Sequence, residues 1–195
     1  MTATQSIPVP RPPEAEPFVL VDPPLTEGLR EHLIGMWARV TNAGGSVGFV
    51  APVTADQIEP TAARSFARVE AGEDSLVCLA VPGPDPGGEP TVIAWLLLAE
   101  SESVLRRHWR TVYRVQVDPD WQGGGLGRRL MDEAARVARD KLGLEALTLM
   151  TRSGTGAERF YERCGYREVG RIPGAIRVGS GDDRDEVHFW LDLTG

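Results

Sequence analysis

Hydrophobic positions along this chain switch between a spacing of two and a spacing of three to four. The apolar run Phe18-Val19-Leu20-Val21 reads as a first strand. Behind Thr26, a good helix-capping residue, Leu29, Leu33, Met36, Trp37 and Val40 recur at helical spacing. That helix ends near Gly44-Gly45. The glycine-flanked knot Gly45-Ser46-Val47-Gly48-Phe49 separates it from a second helix, whose Ile58, Ala62, Phe66 and Val69 share one face. Thr54 and Gln57 stand at capping-box spacing ahead of it. Pro60 lacks the N–H that a helix interior needs, so a kink or a start is expected there.

Leu76 to Val81 and Thr91 to Ala99 are apolar and rich in branched residues, and they read as paired strands. The Pro- and Gly-rich stretch 82–88 forms the hairpin tip. A polar loop, Ser101 to Trp109, precedes a strand from about Arg110 to Val117, with Tyr113, Val115 and Val117 expected on one face. Leu126, Leu130, Ala134, Val137 and Ala138 then mark a helix from about Gly124 to Leu142, closed by Gly143. Ala146 to Met150 reads as a strand. Thr155 and Glu158 repeat the capping-box spacing before a short helix carrying Phe160, Tyr161 and Cys164. Tyr166 to Ile172 is a further strand, Pro173 to Asp185 a polar, glycine-rich loop, and Glu186 to Leu193 the last strand.

Composition changes this picture in few places. At 195 residues the chain has room for one cored domain with a small excess. The excess is the N-terminus, where Pro8, Pro10, Pro12, Pro13 and Pro17 predict an extended or disordered arm over residues 1–16, ahead of a domain over 17–195. A formal net charge of -7 argues against nucleic acid as a partner and weakly favours a cationic one. Cys78 and Cys164 lie far apart at no metal or redox spacing, so no metal is expected and both thiols should be reduced. No apolar run is long enough to cross a bilayer, and the N-terminus does not look like a signal peptide. The expected setting is the cytoplasm, without a membrane partner.

The chemistry concentrates where the strand ending at Val117-Asp118-Pro119 meets the next helix. Gly123, Gly124, Gly125 and Gly127 strip side chains from the start of that helix. The N–H groups of its first turn have no partner inside the helix, and the positive end of its dipole adds to them. Together they form an anion site, and a phosphate is expected on residues 123–128. Two nucleotide motifs fail. A P-loop needs Lys-Ser/Thr after its last glycine, where this chain has Arg128-Arg129. The dinucleotide fingerprint, counted from Gly123, places its third glycine on Arg128.

The pattern that does fit is Gln122-x-x-Gly125-x-Gly127 after a strand ending in Val-Asp-Pro. It resembles the pyrophosphate loop of the GNAT acetyltransferase superfamily. The resemblance covers about Phe18 to Leu193 and implies an α/β fold: a twisted, mixed sheet of six to seven strands with helices on both faces. In that fold the strands flanking the long helix splay apart, and acetyl-CoA, the acyl donor, enters the gap. Carried over residue by residue, the resemblance implies that Val115, Gln116 and Val117 hold the pantetheine arm through their backbone. It implies that Gln122, Gly123, Gly124, Gly125, Leu126, Gly127 and Arg128 hold the pyrophosphate, and that a backbone N–H of Val117 or Val115 polarises the thioester. Arg129 is a further phosphate candidate.

Acyl transfer to an amine also needs a proton donor for the thiolate and an acceptor for the amine's proton. Tyr161, in Ala157-x-x-Phe160-Tyr161-x-x-x-Gly165-Tyr166, is similar to the family's general acid, and a phenol is protonated at neutral pH. The amine's base is not assigned. Relatives often carry a glutamate ahead of the Val-x-Val and an asparagine seven residues before the tyrosine; this chain has Arg110-Thr111-Val112-Tyr113-Arg114 and Gly154 there. Glu100, Glu102 and His188 are the remaining candidates. His32, beside the first helical stripe, reads as a surface histidine.

The segments Gly44 to Phe49 and Gly170 to Gly174, the latter followed by a polar loop and Glu186 to Phe189, look like segments of tabtoxin-resistance-type acetyltransferases. That likeness implies a small-molecule amine acceptor, a metabolite or an antibiotic. An acceptor on a protein N-terminus or lysine is the alternative, and a non-catalytic acyl-CoA sensor is the alternative of another class. Dimers recur in the family, which leaves a homodimer open.

Overall fold

Why the middle of the chain is so uniformly apolar is explained by where it lies. β2 (Ser75–Val81) and β3 (Thr91–Ala99) are central strands covered on both faces. In the computed structural model, which describes residues 16–85 and 87–195, the sheet has seven strands in the order β1-β2-β3-β4-β5-β7-β6. The other strands are β1 (Phe18–Val21), β4 (Trp109–Val117), β5 (Ala146–Arg152), β6 (Arg167–Gly179) and β7 (Asp182–Asp192). Only the β4–β5 pair is parallel. The expected N-terminal arm lies outside the described residues except for Glu16.

One face of the sheet is covered by α1 (Glu27–Asn42) and α2 (Ala55–Glu70), which pack Leu33, Met36, Trp37, Ile58 and Phe66 onto Leu76, Cys78, Trp95 and Leu97. Both helices are capped as expected. Thr26 accepts from the Leu29 N–H, and Thr54 with Gln57 closes a full capping box. α2 starts at Ala55 and runs through Pro60, so the proline neither begins nor ends it. The other face is covered by α3 (Leu126–Arg136), which ends in a π-helical turn at Val137–Lys141, and by α4 (Ala157–Arg163). There Leu130, Met131 and Ala134 meet Val77, Leu79, Ile93 and Leu96.

Three expectations need correction. Tyr113 does not share a face with Val115 and Val117. Between the pairs Trp95–Gln116 and Leu97–Tyr113, β4 carries one residue more than β3, a β-bulge at Arg114, whose φ is 58°. The extra residue reverses the alternation. Val112 and Val117 face the α3 side, opposite Leu98 and Ala94, whereas Tyr113 faces the α1 side, opposite Leu97. Second, residues 173–185 are not a loop. β6 and β7 continue through them as a hairpin that turns at Ser180-Gly181. Its exposed ladder is stitched by Arg171–Asp185 (3.1 Å) and Arg177–Asp183 (2.7 Å), a charge pattern that apolar alternation does not register. Third, Thr155 does not cap α4. Gly156 takes that place with φ 79°; Glu158 instead accepts from the Gly154 N–H at 3.1 Å, and Thr155 accepts from Ala157 at 3.4 Å. Two glycines with positive φ, Gly154 and Gly156, outweigh the threonine.

The feature that makes a site is the β4–β5 pair. It holds only from Trp109–Ala146 to Thr111–Thr148. Beyond that the strands diverge, because β4 stays paired with β3 while β5 follows β7. The β5-facing backbone of residues 112–117 therefore has no strand partner.

Candidate active site

A cleft of about 660 Å³ occupies this divergence. Its floor is the free edge of β4, at Val115 and Val117. One end is the loop between β4 and α3, and its far wall is α4. Asp118 anchors the loop: its N–H donates to the Ile93 carbonyl (2.9 Å), and its carboxylate accepts from the Asp120 N–H (3.1 Å) and pairs with Arg39 of α1. The Gln122 amide donates to the Val117 carbonyl (3.0 Å), folding the loop back on the strand end. Gly123 and Gly125 take φ values of 87° and 77°, which only glycine adopts without strain. Gly125 caps α3 without a side chain, and the first N–H accepted within the helix is that of Arg129, on the Gly125 carbonyl (3.1 Å). The N–H groups of residues 126–128 are left for an anion. Ideal Cβ atoms built on Gly123, Gly124 and Gly125 would meet nothing within 4 Å, so the loop is open to a ligand. Gly127 differs, since its Cβ would lie 3.3 Å from the Phe160 ring, which fixes how closely α3 approaches α4.

Most of the residues singled out from sequence converge here. Val115, Val117, Gln122, Gly123, Gly125, Leu126, Gly127, Arg128 and Tyr161 all line the cleft. Gln116 and Gly124 do not. The Gln116 side chain is buried on the α1 side of the sheet, 1% exposed, beside its cross-strand partner Trp95, so only its backbone can contribute at the strand edge. Arg129 turns away to the Pro17 carbonyl and to Glu16 (3.8 Å). Glu100 and Glu102 lie at a different surface depression, where Glu100 accepts from Arg110 (3.1 Å). His32 is half-buried, its Nε2 2.6 Å from the Val92 carbonyl, well outside the cleft lining. Cys78 is fully buried, and burial pushes its thiol up; Cys164 is half-buried, and both are free thiols.

Tyr161 stands where the cleft narrows. Its ring lies among Phe160, Tyr166 and Phe189, at centroid distances of 5.1, 6.1 and 5.9 Å. Burial pushes the phenol well above its ordinary value, so it holds its proton throughout the neutral range. The hydroxyl has no hydrogen-bond partner among the described residues and is free to donate. Beside Tyr161 the cleft adjoins a smaller chamber of about 170 Å³ under the knot. The two volumes share Ser46, Val47, Val115, Thr151 and Tyr161.

The chamber holds the residues that the sequence reading missed: Arg114, Arg152 and Glu186. Glu186 Oε1 lies 2.9 Å from His188 Nε2, and both are half-buried. In sequence His188 is a candidate base, whereas Glu186 is visible only as a polar position in phase with it on one strand, opposite Val187 and Phe189. That β7 would bring them beside the diverging end of β5 is a property of strand order, which that periodicity does not encode. The knot forms the chamber's roof. The Val47 carbonyl accepts from Trp37 Nε1 (2.9 Å) and from Arg114 Nη1 (3.1 Å).

Comparison with known proteins agrees with this geometry. Residues 91–168, which run from β3 through α4, match the model of the acetyltransferase (GNAT) domain. The GNAT match therefore covers the glycine loop, the diverging strands and Tyr161. A structure of an acetyltransferase-like protein from Salmonella typhimurium with its cofactor acetyl-CoA superimposes at a TM-score of 0.69 and 16% identity, over 92% of this chain and 95% of that one. Spermidine N-acetyltransferase from Vibrio cholerae, in complex with CoA and spermine, superimposes at 0.65 and 15% identity, over 90% and 96%. At those identities the likeness is one of fold. In sequence, the tRNA uridine(34) acetyltransferase of Methanocaldococcus jannaschii is 37% identical over 54 residues, 28% of this chain and only 10% of that enzyme. Among the described residues no helix is long and apolar enough to cross a membrane.

Proposed function

We propose that this chain is an acetyl-CoA-dependent N-acetyltransferase acting on the primary amine of a small molecule. The observation that carries this reading is one continuous passage. It runs from an uncapped helix N-terminus, along an unpaired strand edge, past a protonated tyrosine, into a chamber with a carboxylate. The N–H groups of residues 126–128 and the Arg128 guanidinium suit a pyrophosphate. The free edge of β4 at Val115 and Val117 suits the amide-bearing pantetheine arm, which can hydrogen-bond as an added strand. Acetyl-CoA supplies the thioester whose acyl carbon the amine attacks.

The remaining steps fall to side chains. Glu186, oriented by His188, takes the proton from the acceptor's ammonium group, directly or through one water. A backbone N–H at the β4 edge, of Val115 or Val117, faces the developing oxyanion. Tyr161 gives its proton to the departing sulfur as the C–S bond breaks, and the second proton of the newly bonded nitrogen returns to the phenolate, directly or through water, leaving the neutral amide and free CoA thiol. A 170 Å³ chamber is the size of a small molecule rather than of a folded protein surface, which favours a metabolite over a protein acceptor. The net charge of -7 disfavours a nucleic-acid acceptor.

The test is thiol release from acetyl-CoA with a panel of small amines and of peptides carrying free N-termini. Release with small amines, lost in Tyr161→Phe, is expected. Release with peptides alone would replace the small-molecule reading by the protein one. Tight acetyl-CoA binding without release on any acceptor would instead favour an acyl-CoA sensor.

A further inference from the structure

The acceptor chamber carries more positive charge than it neutralises. Arg114 makes one hydrogen bond, from Nη1 to the Val47 carbonyl, and its guanidinium lies 4.6 Å from the centroid of the Trp37 ring. It has no carboxylate within ion-pair distance among the described residues. Burial lowers its pKa, the direction expected of a cation held out of water without a counter-ion. Arg152 is likewise half-buried and without a hydrogen bond or ion pair among the described residues. It stands directly across from Glu186 in the β5–β7 register, yet the Glu186 carboxylate turns to His188 instead. Elsewhere on the molecule many arginines are paired with carboxylates, as in Arg68–Asp74, Arg171–Asp185 and Arg177–Asp183, and those without an ion pair among the described residues, such as Arg64, Arg106, Arg107 and Arg163, are exposed. Arg114 and Arg152 differ in being half-buried without one, both lining a chamber of about 170 Å³ in a chain of net charge -7.

The position of Arg114 is itself built. It sits in the β4 bulge with φ 58°, a conformation that arginine adopts only when its surroundings hold it there. An ideal Cβ on Gly48 would lie 1.9 Å from Arg114 Nη1, so the knot makes room for this guanidinium. With Nη1 given to Val47, Nε and Nη2 remain as donors.

We infer that the acceptor carries an anionic group beside its amine, an α-amino acid or a close amino-acid analogue, with Arg114 and Arg152 receiving its carboxylate while the amine faces Glu186 and Tyr161. The pairing completes a charge balance that the protein leaves open. Two guanidiniums line the chamber against one carboxylate, Glu186, and Asp182, whose charge reaches Arg152, is itself paired with Arg184; the excess of one positive charge is what a carboxylate cancels. The same excess repels a polyamine, whose second ammonium would enter beside the arginines. The whole-chain charge, which by itself points to a cationic acceptor, is thus reversed locally, because two arginines and a single carboxylate, Glu186, line this chamber.

This inference rests on the acetyltransferase reading, and one set of assays separates the two. Thiol release from acetyl-CoA is measured with the standard L-α-amino acids, with their methyl esters, and with spermidine. The expected result is turnover of one or more free amino acids, with kcat/KM about 10²-fold above the matching ester, as for a charged partner in a partly buried ion pair, and no turnover of spermidine. Arg152→Gln should collapse that acid-over-ester ratio by about tenfold or more. A purely structural role for Arg152 would lower acid and ester together and leave the ratio intact. Arg114→Lys, which keeps the charge but loses the fork, should reduce the ratio as well. Turnover of esters or spermidine at rates equal to or above those of the free acids overturns the inference and leaves the acetyltransferase reading standing. No turnover of any amine, with acetyl-CoA still bound, overturns the acetyltransferase reading itself.

Discussion

In the proposed mechanism Tyr161 and Glu186 divide the proton traffic, and each can be removed without emptying the core. Tyr161→Phe keeps the ring among Phe160, Tyr166 and Phe189 and deletes only the donor. The expected outcome is a fall in kcat of about 10² or more, with acetyl-CoA affinity nearly unchanged by calorimetry. Unchanged turnover would remove Tyr161 from the mechanism. Because burial raises the phenol's pKa, no tyrosine ionisation should limit the rate below about pH 10, the ordinary value for this group. Gly127→Ala tests a different property, since its Cβ would press on the Phe160 ring from 3.3 Å. The ring, or α3 itself, must shift, and a loss of stability of about 1–3 kcal/mol is expected from chemical denaturation, together with weaker acetyl-CoA binding. Binding and stability both at wild-type level would show that the α3–α4 approach is looser than the structure indicates.

At the scale of elements, the β4 bulge and the β6–β7 hairpin shape the acceptor side. The bulge lets Tyr113 as well as Arg114 face the knot while Val112, Val115 and Val117 stay on the other face; regular alternation would put Tyr113 with Val115. The hairpin contributes Glu186 and Ile176 to the chamber wall and is held in part by arginine–carboxylate pairs. Hydrogen bonds from Arg184, Arg177 and Arg171 hold Asp182, Asp183 and Glu168 below their usual values, and the Gly174 N–H, with Arg171, does the same for Asp185. A carboxylate with a depressed folded pKa stabilises the fold above its unfolded pKa and loses that contribution as pH falls through the folded value. Hydrogen exchange followed at decreasing pH should therefore show the hairpin amides of residues 171–185 losing protection below about pH 4, ahead of those in β2 and β3. Simultaneous loss across the sheet would show that the pairs contribute nothing local, as many exposed pairs do not.

At the scale of the whole molecule, two adjoining volumes meet where β4 and β5 part: the 660 Å³ cleft, lined by the glycine loop, α4 and the end of α1 with its knot, and the 170 Å³ chamber, lined by the knot, β4, β5 and the β6–β7 hairpin. A ligand that binds the native cleft and not the unfolded chain must raise the melting temperature. With acetyl-CoA at a hundredfold excess over its Kd the gain is about 2.7 kcal/mol, readable by thermal shift. Arg128→Glu, which reverses charge at the mouth of the loop, should remove most of that shift without lowering the melting temperature of the unliganded protein, because Arg128 is 63% exposed and its one ion pair, to Asp132, is at 3.6 Å. An undiminished shift would place the phosphates elsewhere.

Local chemistry carried much of this from the sequence alone. The two helical stripes behind Thr26 and Thr54, the central apolar strands, the glycine loop and Tyr161 could all be read because each depends on neighbours within a few residues: a cap, a period, a turn that only glycine makes. What depended on residues far apart was not readable. Arg114 reads as an ordinary polar position until the knot and Trp37 fold against it, Tyr113 reads as facing with Val115 until the bulge turns it, and Thr155 reads as a cap until Gly154 and Gly156 take the turn. The charged ladder of residues 171–185 reads as a loop because its partners lie across the hairpin. Glu186 and Arg152 become a site only because β7 is inserted beside β5, ahead of β6 in the sheet. The donor end of this protein is a segment of about a dozen consecutive residues, so sequence determined it. The acceptor end is assembled from α1's knot, β4, β5 and the β6–β7 hairpin, and only the tertiary fold decides which charges meet there.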